Sequence, residues 1–341
     1  MPSLFPQSEP PQPLVGIAKL AAEGHALADG HQVEYSTLEN RTLLARCYSR
    51  RVPFAWMINP YRGCEFGCHY CYARYTHEFM ELREERDFER KIYVKQHTGH
   101  VLRRELKKVR AGEDIAIGTA TDPYQPAEKK FGVTRAVLEE LAQHRGLGLG
   151  LVTKSCLILR DLDLLQKIAE NNRLTICVTI TTLNTDLARL LEPRAPRPDL
   201  RLQTVRQLVD GGIRAGINCA PVLPGITDAP AHLEALAKAA AAVGAAFVFA
   251  NPLFLKPCAE KVFMPFLEQH FPQLVPVYKK RFSGKAFLPR EYQQRVGLLM
   301  KKYREKWGVG ERFSQTKGEF PSRPTPSETQ LALFPSAPKS L

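Results

Sequence analysis

The 341-residue chain has no apolar run near the roughly 18 to 20 residues that span a bilayer, so no membrane-spanning helix is expected in it. Its first segment, MPSLFPQSEPPQP, has neither a basic stretch nor an apolar one, so it does not read as a secretory leader. Cysteine is scarce: eight in a chain of this length, without a leader, do not make a disulfide scaffold. The expectation is a cytoplasmic protein with no membrane partner. There is no internal repeat, which excludes solenoids and propellers. Acidic residues are in deficit, with 35 Asp and Glu against 48 Lys and Arg, leaving a net charge of +13. Such an excess attracts polyanions and favours a nucleic-acid partner. It is densest late in the chain: from Lys279 to Lys317, twelve Lys or Arg stand against Glu291, Glu305 and Glu311. A solvated helical face explains such a run as well as a binding surface does.

What is present is an alternation of two periods. FAWMIN (54–59), DIAIGTA (114–120), GLGLVTK (148–154), LTICVTITTL (174–183), IRAGINCAPVL (213–223) and AAFVFANPLF (245–254) read as strands. The stretches 97–110, 134–144, 161–170, 198–211 and 229–243 read as amphipathic helices. Near-continuous apolar strands alternating with helices indicate a parallel α/β sheet, either open or a partial barrel. Catalytic groups then belong at the C-terminal ends of the strands, where the loops gather. Beyond about residue 258 the pattern turns helical, near 259–271 and 290–307. Residues 1 to about 14 are Pro-rich, and 316–341 read as a flexible tail with one apolar island.

RGCEFGCHYCYAR (62–74) places Cys64, Cys68 and Cys71 within eight positions just after the first strand. A structural zinc site needs four ligands and commonly uses two paired spacings, and His69 is poorly placed to close that tetrahedron. Three ordinary buried thiols would make so tight a cluster a coincidence. An iron–sulfur cluster fits the donor set better, since thiolates are its usual ligands. Three thiolates on a four-iron cluster leave one iron open, and an open position is what separates a reactive metal site from a structural one.

This C-x3-C-x2-C spacing, with an aromatic residue directly before the last cysteine, resembles the signature of the radical S-adenosylmethionine (SAM) superfamily. INPYRGCEFGCHYCYAR (58–74), TATDPYQPAEKKFGVTR (119–135), LVTKS (151–155), LEPRAPRP (191–198) and APVLPGITD (220–228) look like its spore-photoproduct-lyase-like branch. The resemblance covers roughly residues 40 to 260. It implies a partial (β/α)6 TIM-like barrel over 41–260, behind an N-terminal extension over 1–40. A basic helical extension over 261–313 and a disordered tail over 314–341 complete the organisation. It also implies that Cys64, Cys68 and Cys71 bind three irons of a [4Fe–4S] cluster, that SAM chelates the fourth, and that flavodoxin or ferredoxin supplies an electron. The 5′-deoxyadenosyl radical so formed would abstract hydrogen from a substrate.

Further site residues follow from their places in the pattern. Tyr70 would exclude water beside the cluster, and Arg62 would stabilise its anionic charge. Gly63 and Gly67 let backbone approach the sulfurs. The superfamily's Gly-rich segment is missing after the second strand; Thr119, Thr121 and Asp122 stand there instead, Asp122 having the alternative of a turn cap before Pro123. Lys154 would pair with the SAM carboxylate. Thr179, Thr181 and Thr182 would reach the ribose, although a strand uses such residues anyway. Asn218 is polar in an apolar run and is a candidate SAM ligand. No cysteine lies between Cys71 and Cys156, the interval in which the lyase carries its hydrogen-donating cysteine. Cys156, Cys219, Cys258 and Tyr124 are the candidate substitutes.

In the tail, Gln330 to Phe334 (QLALF) resembles the peptide that bacterial repair proteins and polymerases insert into the sliding clamp. Three functions stay open. The first is a radical SAM enzyme acting on nucleic acid, such as a DNA lesion or modified base. The second is the same chemistry on a protein or small molecule. The third is a non-enzymatic, metal-bearing nucleic-acid-binding module.

Overall fold

The computed structural model describes residues 14–24, 26–30, 33–49 and 52–312. Strands β1 (Ala26–Gly30), β2 (Val33–Leu38), β3 (Leu44–Arg46) and β4 (Trp56–Ile58) precede the cysteine motif, which β5 (Tyr61–Arg62) and β6 (Lys91–Lys95) flank. After them come β7 (Asp114–Ile117), β8 (Gly148–Thr153), β9 (Arg173–Thr179), β10 (Ala215–Val222) and β11 (Val248–Pro252). Helices Val133–Leu141, Leu162–Asn171, Pro198–Asp210 and Pro230–Ala242 connect them.

Alternation within the strands decides the architecture. Ile115, Ile117, Leu149, Leu151, Ile176, Val178, Ile217 and Cys219 recur at every second position and are buried. They pack on Val137, Leu138 and Leu141, on Leu165 and Ile168, and on Val205 and Leu208, which recur at three- and four-residue helical spacing. Burying each such aliphatic side chain stabilises the fold by about 1.5 to 3 kcal/mol, so the helices must lie on this face. The opposite strand face carries small or polar residues, Ala116, Gly150, Cys177, Thr179 and Asn218, and lines the inside.

The strand order is β11-β10-β9-β8-β7-β4-β3, with β4 and β7 to β11 all parallel. Chain order and spatial order therefore coincide, and β11 does not pair back to β4. The result is an open, partial (β/α)6 barrel, with antiparallel β3 covering the β4 edge. A helical region follows: Pro257–His270, Val275–Phe282 and Arg290–Trp307, the last ending at Gly308. The Arg290–Trp307 helix packs on Pro230–Ala242 and β11. Arg312 then enters the start-of-strand end of the barrel, its guanidinium 5.1 Å from the Phe249 ring centroid and beside Gly150. No described helix is long and apolar enough to cross a membrane.

The structure departs from the sequence reading in several strand ends, the expected 174–183 strand ending at Thr179 and the expected 245–254 strand running only from Val248 to Pro252, and in one further sheet. The expected 114–120 strand stops at Ile117, because Gly118 turns with φ +84° where a Cβ would stand 2.6 Å from Val152 O. A second sheet, order β1-β2-β6-β5, was not foreseen. Its β5 is two residues long, and β6 is bounded by lysines, so neither carries a clear apolar period.

Candidate active site

The loop carrying the three cysteines leaves β5 at the C-terminal end of the barrel and is held on every side. Gly63 takes φ +82° and passes so close to β6 that a Cβ would lie 2.8 Å from Lys91 O. Thr121 Oγ1 and Gln125 Nε2 donate to Gly63 O at 2.5 and 3.1 Å, and Glu65 N donates to Gln125 Oε1 at 2.9 Å. The buried Glu65 carboxylate accepts from Ala127 N at 2.7 Å and Tyr35 Oη at 3.0 Å. Cys64 N reaches Phe88 O, His69 N reaches Leu191 O, and Arg194 N reaches Phe66 O. His69 stacks on Phe266 of the Pro257–His270 helix at 4.5 Å. These bonds hold the loop backbone in one conformation, which lowers the cost of ordering it around a ligand.

Cys64 and Cys68 are buried and Cys71 is half-buried. Burial, then Asp122, Cys68 and Cys71, raise Cys64 well above the ordinary thiol range. Burial pushes Cys68 up to about 12 against the pull of Lys154, and burial raises Cys71 against the pull of Arg74. Among the described residues no group of three or more His, Cys, Asp or Glu could close on a metal ion. Ligands of one tetrahedral zinc would stand about 3.8 Å apart, given metal–sulfur bonds of about 2.3 Å. A polynuclear cluster asks for something else, one thiolate for each of three irons. Three coupled thiols on one pinned loop fit that demand, and nearby cations would offset the charge on ionisation. Arg74 donates to Cys68 O at 3.3 Å while pairing with Glu89 at 2.6 Å. Burial pulls the Lys154 ammonium down, but Cys68 and Glu192 outweigh it and leave the group above its ordinary value.

Beneath the loop lies a polar network. Tyr70 Oη donates to Glu192 Oε1 and lies 3.1 Å from Thr181 Oγ1, which donates to the same carboxylate oxygen at 2.8 Å. Glu192 Oε2 stands 2.5 Å from Arg201 Nη2, both side chains 1% exposed. Arg201 also donates to Pro196 O and Thr179 O at 2.7 and 3.0 Å. Lys154 Nζ lies 5.8 Å from the Tyr70 ring centroid. Sequence reasoning placed Tyr70, Thr181 and Lys154 here but missed Glu192 and Arg201. The available signal was positional: Arg201 shares a helical face with Thr204, Val205 and Leu208, all buried.

The remaining candidates divide. Thr119 sits at the barrel rim, where Asn59 Nδ2 donates to its Oγ1 at 3.2 Å and Tyr72 Oη donates to its carbonyl at 2.5 Å. Asn218 is half-buried beside Thr179, and among the described residues its Oδ1 has no hydrogen-bond partner. Thr121 is committed to Gly63 O. Asp122 accepts from Thr153 Oγ1, Lys154 N and Tyr124 N at 2.7, 2.7 and 2.9 Å, so it clips the β7 loop to the end of β8 in the manner of a turn cap. Thr182 accepts from Asn184 N at 3.0 Å. Arg62 lies beside Lys95, which burial and that like charge push down to about 7.

The hydrogen-donor candidates divide, two lying in the core and two near the site. Tyr124 is corrected: it is 1% exposed in the core between sheet and helices, near Asp161, because its ring fills that apolar layer. Its hydroxyl has no aligned hydrogen bond. Cys219 is likewise in that core, facing away from the inside. Cys156 is half-buried at the start of the 156–161 turn, two residues beyond Lys154. Cys258 lies nearest the cysteine loop, its Sγ 3.8 Å from Tyr72 O.

An open parallel barrel with a C-x3-C-x2-C loop at its C-terminal mouth defines the class of radical SAM enzymes. The radical SAM superfamily model matches residues 58–238, and the chain belongs to that superfamily. It is therefore an enzyme whose cofactors are SAM and an iron–sulfur cluster. An uncharacterized protein of Mycobacterium tuberculosis (strain ATCC 25618 / H37Rv) is 34% identical over 289 residues, 83% of this chain and 81% of the relative. An uncharacterized protein of Methanocaldococcus jannaschii is 26% identical over 242 residues, 70% of this chain and 85% of the relative. Among solved structures, spore photoproduct lyase complexed with dinucleoside spore photoproduct superposes with a TM-score of 0.61 at 17% identity. That match covers 80% of this chain and 79% of the other.

Proposed function

We propose that Cys64, Cys68 and Cys71 hold a [4Fe–4S] cluster and that the enzyme acts on nucleic acid, a DNA lesion or modified base. When bound, the cluster and SAM supply a 5′-deoxyadenosyl radical that removes hydrogen from the substrate. The observation that carries the reading is three thiols on one pinned loop, Cys64 and Cys68 buried and Cys71 half-buried, with the Lys154 ammonium 5.8 Å from the ring centroid of Tyr70 in the same loop.

The chain's own residues bind, orient and shield. Lys154 would hold the SAM carboxylate by a charge-assisted hydrogen bond. The unpartnered Asn218 Oδ1 would accept from a SAM donor group. Tyr70, locked by Glu192 and Thr181, would keep water from the cluster. Thr119 and Asn59 would line the rim, and Thr121 and Asp122 would position the loop and the Lys154 backbone. Cys258 beside Tyr72, or Cys156 beside Lys154, would return a hydrogen atom to a product radical.

The net charge of +13 and the likeness to a lyase solved with a dinucleoside photoproduct support the substrate class. Two partners complete the proposal: a low-potential donor such as flavodoxin or ferredoxin, and a bacterial sliding clamp bound through Gln330 to Phe334. That segment, like the rest of 313–341, lies outside the described residues. Anaerobic reconstitution with iron and sulfide, reduction with SAM and assay for 5′-deoxyadenosine test the chemistry. Salt-dependent DNA binding tests the substrate class.

A further inference from the structure

A row of aromatic rings and cations runs from the cysteine loop to a cleft outside the site described above. Tyr72 directly follows Cys71, is 39% exposed, and has its ring centroid 5.9 Å from that of Phe254. Phe254 stacks on Phe287 at 4.3 Å and 19°. Phe287 is 40% exposed at the edge of a cleft of ≈ 890 Å³. Lys280, Arg281 and Lys285 line that cleft beside Val277, and among the described residues no acidic one lines it. In the other direction, Lys256 Nζ lies 3.7 Å from the Tyr75 ring centroid and 5.9 Å from that of Phe254. Tyr75 meets exposed Phe79 edge-on at 5.7 Å. Arg62 lies beside Tyr75, and its buried Nε has no acceptor.

Nearby cations on the same helical region are neutralised: Lys279 by Glu268, Arg295 by Asp228 and Lys306 by Glu234. Among the described residues no carboxylate forms an ion pair with Lys256, Lys280, Arg281 or Lys285; Lys256 lies over the Tyr75 ring and Arg281 over that of Tyr292, while Lys280 and Lys285 line the cleft beside Phe287. Resting on the nucleic-acid reading above, we propose that this row is a track for single-stranded nucleic acid. Bases stack on Tyr72, Tyr75 and Phe287, and phosphates meet Lys256, Lys280, Arg281 and Lys285. Alternating ring and cation matches alternating base and phosphate, the pattern of sequence-tolerant single-strand binders. A duplex hides its base faces inside the stack, and an acidic peptide has none to offer. Tyr72 is pinned by its bond to Thr119 O at 2.5 Å, so a base stacked there stands beside the cysteine loop.

The test is fluorescence anisotropy of the cluster-reconstituted full chain with a short labelled oligonucleotide, its duplex, and a poly-glutamate peptide. Single strand should bind more tightly than duplex or peptide. Phe287→Ala should weaken single-strand binding about 5- to 150-fold, the range of one base–ring stack, without changing its salt slope. Lys280→Ala/Lys285→Ala should instead lower that slope by about 1.4, at about 0.7 per phosphate contact. Both variants should still cleave SAM at the wild-type rate. Duplex bound as tightly as single strand, or Phe287→Ala binding like wild type, overturns the track. So does poly-glutamate binding with the same sensitivity to Phe287→Ala. Failed SAM cleavage with Phe287-dependent binding intact would remove the catalytic reading and leave the track standing.

Discussion

Replacing Arg201 by Met leaves the Glu192 carboxylate at 1% exposure with no guanidinium 2.5 Å from Oε2. Burial raises Glu192 toward neutrality, and Arg201, then Lys154, pull it below the ordinary carboxylate range. Tyr70 and Thr181 still serve Oε1, but the charge loses its principal partner. Losing Arg201 also leaves the carbonyls of Pro196 and Thr179 without their donor. Breaking a buried pair from one side costs about 3 to 5 kcal/mol. Met keeps most of the apolar stem volume, so little of that is cavity. The double variant Glu192→Gln/Arg201→Met removes both charges and should lose at least about 2 kcal/mol less than the two singles added together. Urea unfolding of the reduced chain at neutral pH, with an unchanged dependence on urea, measures all three. Single losses that add to within about 0.5 kcal/mol would refute the coupling and Glu192's place as the charge that fixes Tyr70.

Lys154→Ala should weaken SAM binding by about 1.5 to 3 kcal/mol while the cluster stays intact; unchanged affinity would make Lys154 a structural lysine. His77, 2% exposed behind the cysteine loop, is held down at about 4 by burial despite its bond to Lys91 O. Its folded value lies below the unfolded one, so its contribution is present above about pH 6.5 and lost as pH falls toward 4. Wild type should lose about 2 kcal/mol more than His77→Gln between pH 7 and 5, read from urea midpoints; equal losses would contradict it. A peptide spanning Ser327 to Pro335 should bind a bacterial sliding clamp at micromolar affinity, about 8 kcal/mol. Replacing Leu333 and Phe334 by Ala should abolish that binding in anisotropy; equal binding by the double-Ala peptide would remove the clamp from the account.

The barrel was legible because short apolar strands, as around Leu149, Leu151, Ile176 and Val178, alternate regularly with amphipathic helical stretches. The small sheet was not, since Tyr61–Arg62 is too short to show any period and β6 begins and ends on lysine, at Lys91 and Lys95. The cysteine loop was legible from spacing alone. Glu192 and Arg201 were not, because a charged residue reads as solvated until its partner is seen across nine positions and a turn. Tyr124 misled for a related reason: it follows a strand end near the site, yet its ring is buried in the apolar layer between sheet and helices. Asp122 satisfied both of its readings in sequence, and only its three donors show it acting as a clip.

The central claim is that Cys64, Cys68 and Cys71 together hold the cluster that cleaves SAM. The direct measurement is 5′-deoxyadenosine formation by anaerobically reconstituted, reduced protein, alongside iron content, in wild type and in Cys64→Ala, Cys68→Ala and Cys71→Ala. The wild type should form 5′-deoxyadenosine, and each variant should lose four-iron absorbance and product together. A Cys71→Ala protein that keeps full activity would contradict the account.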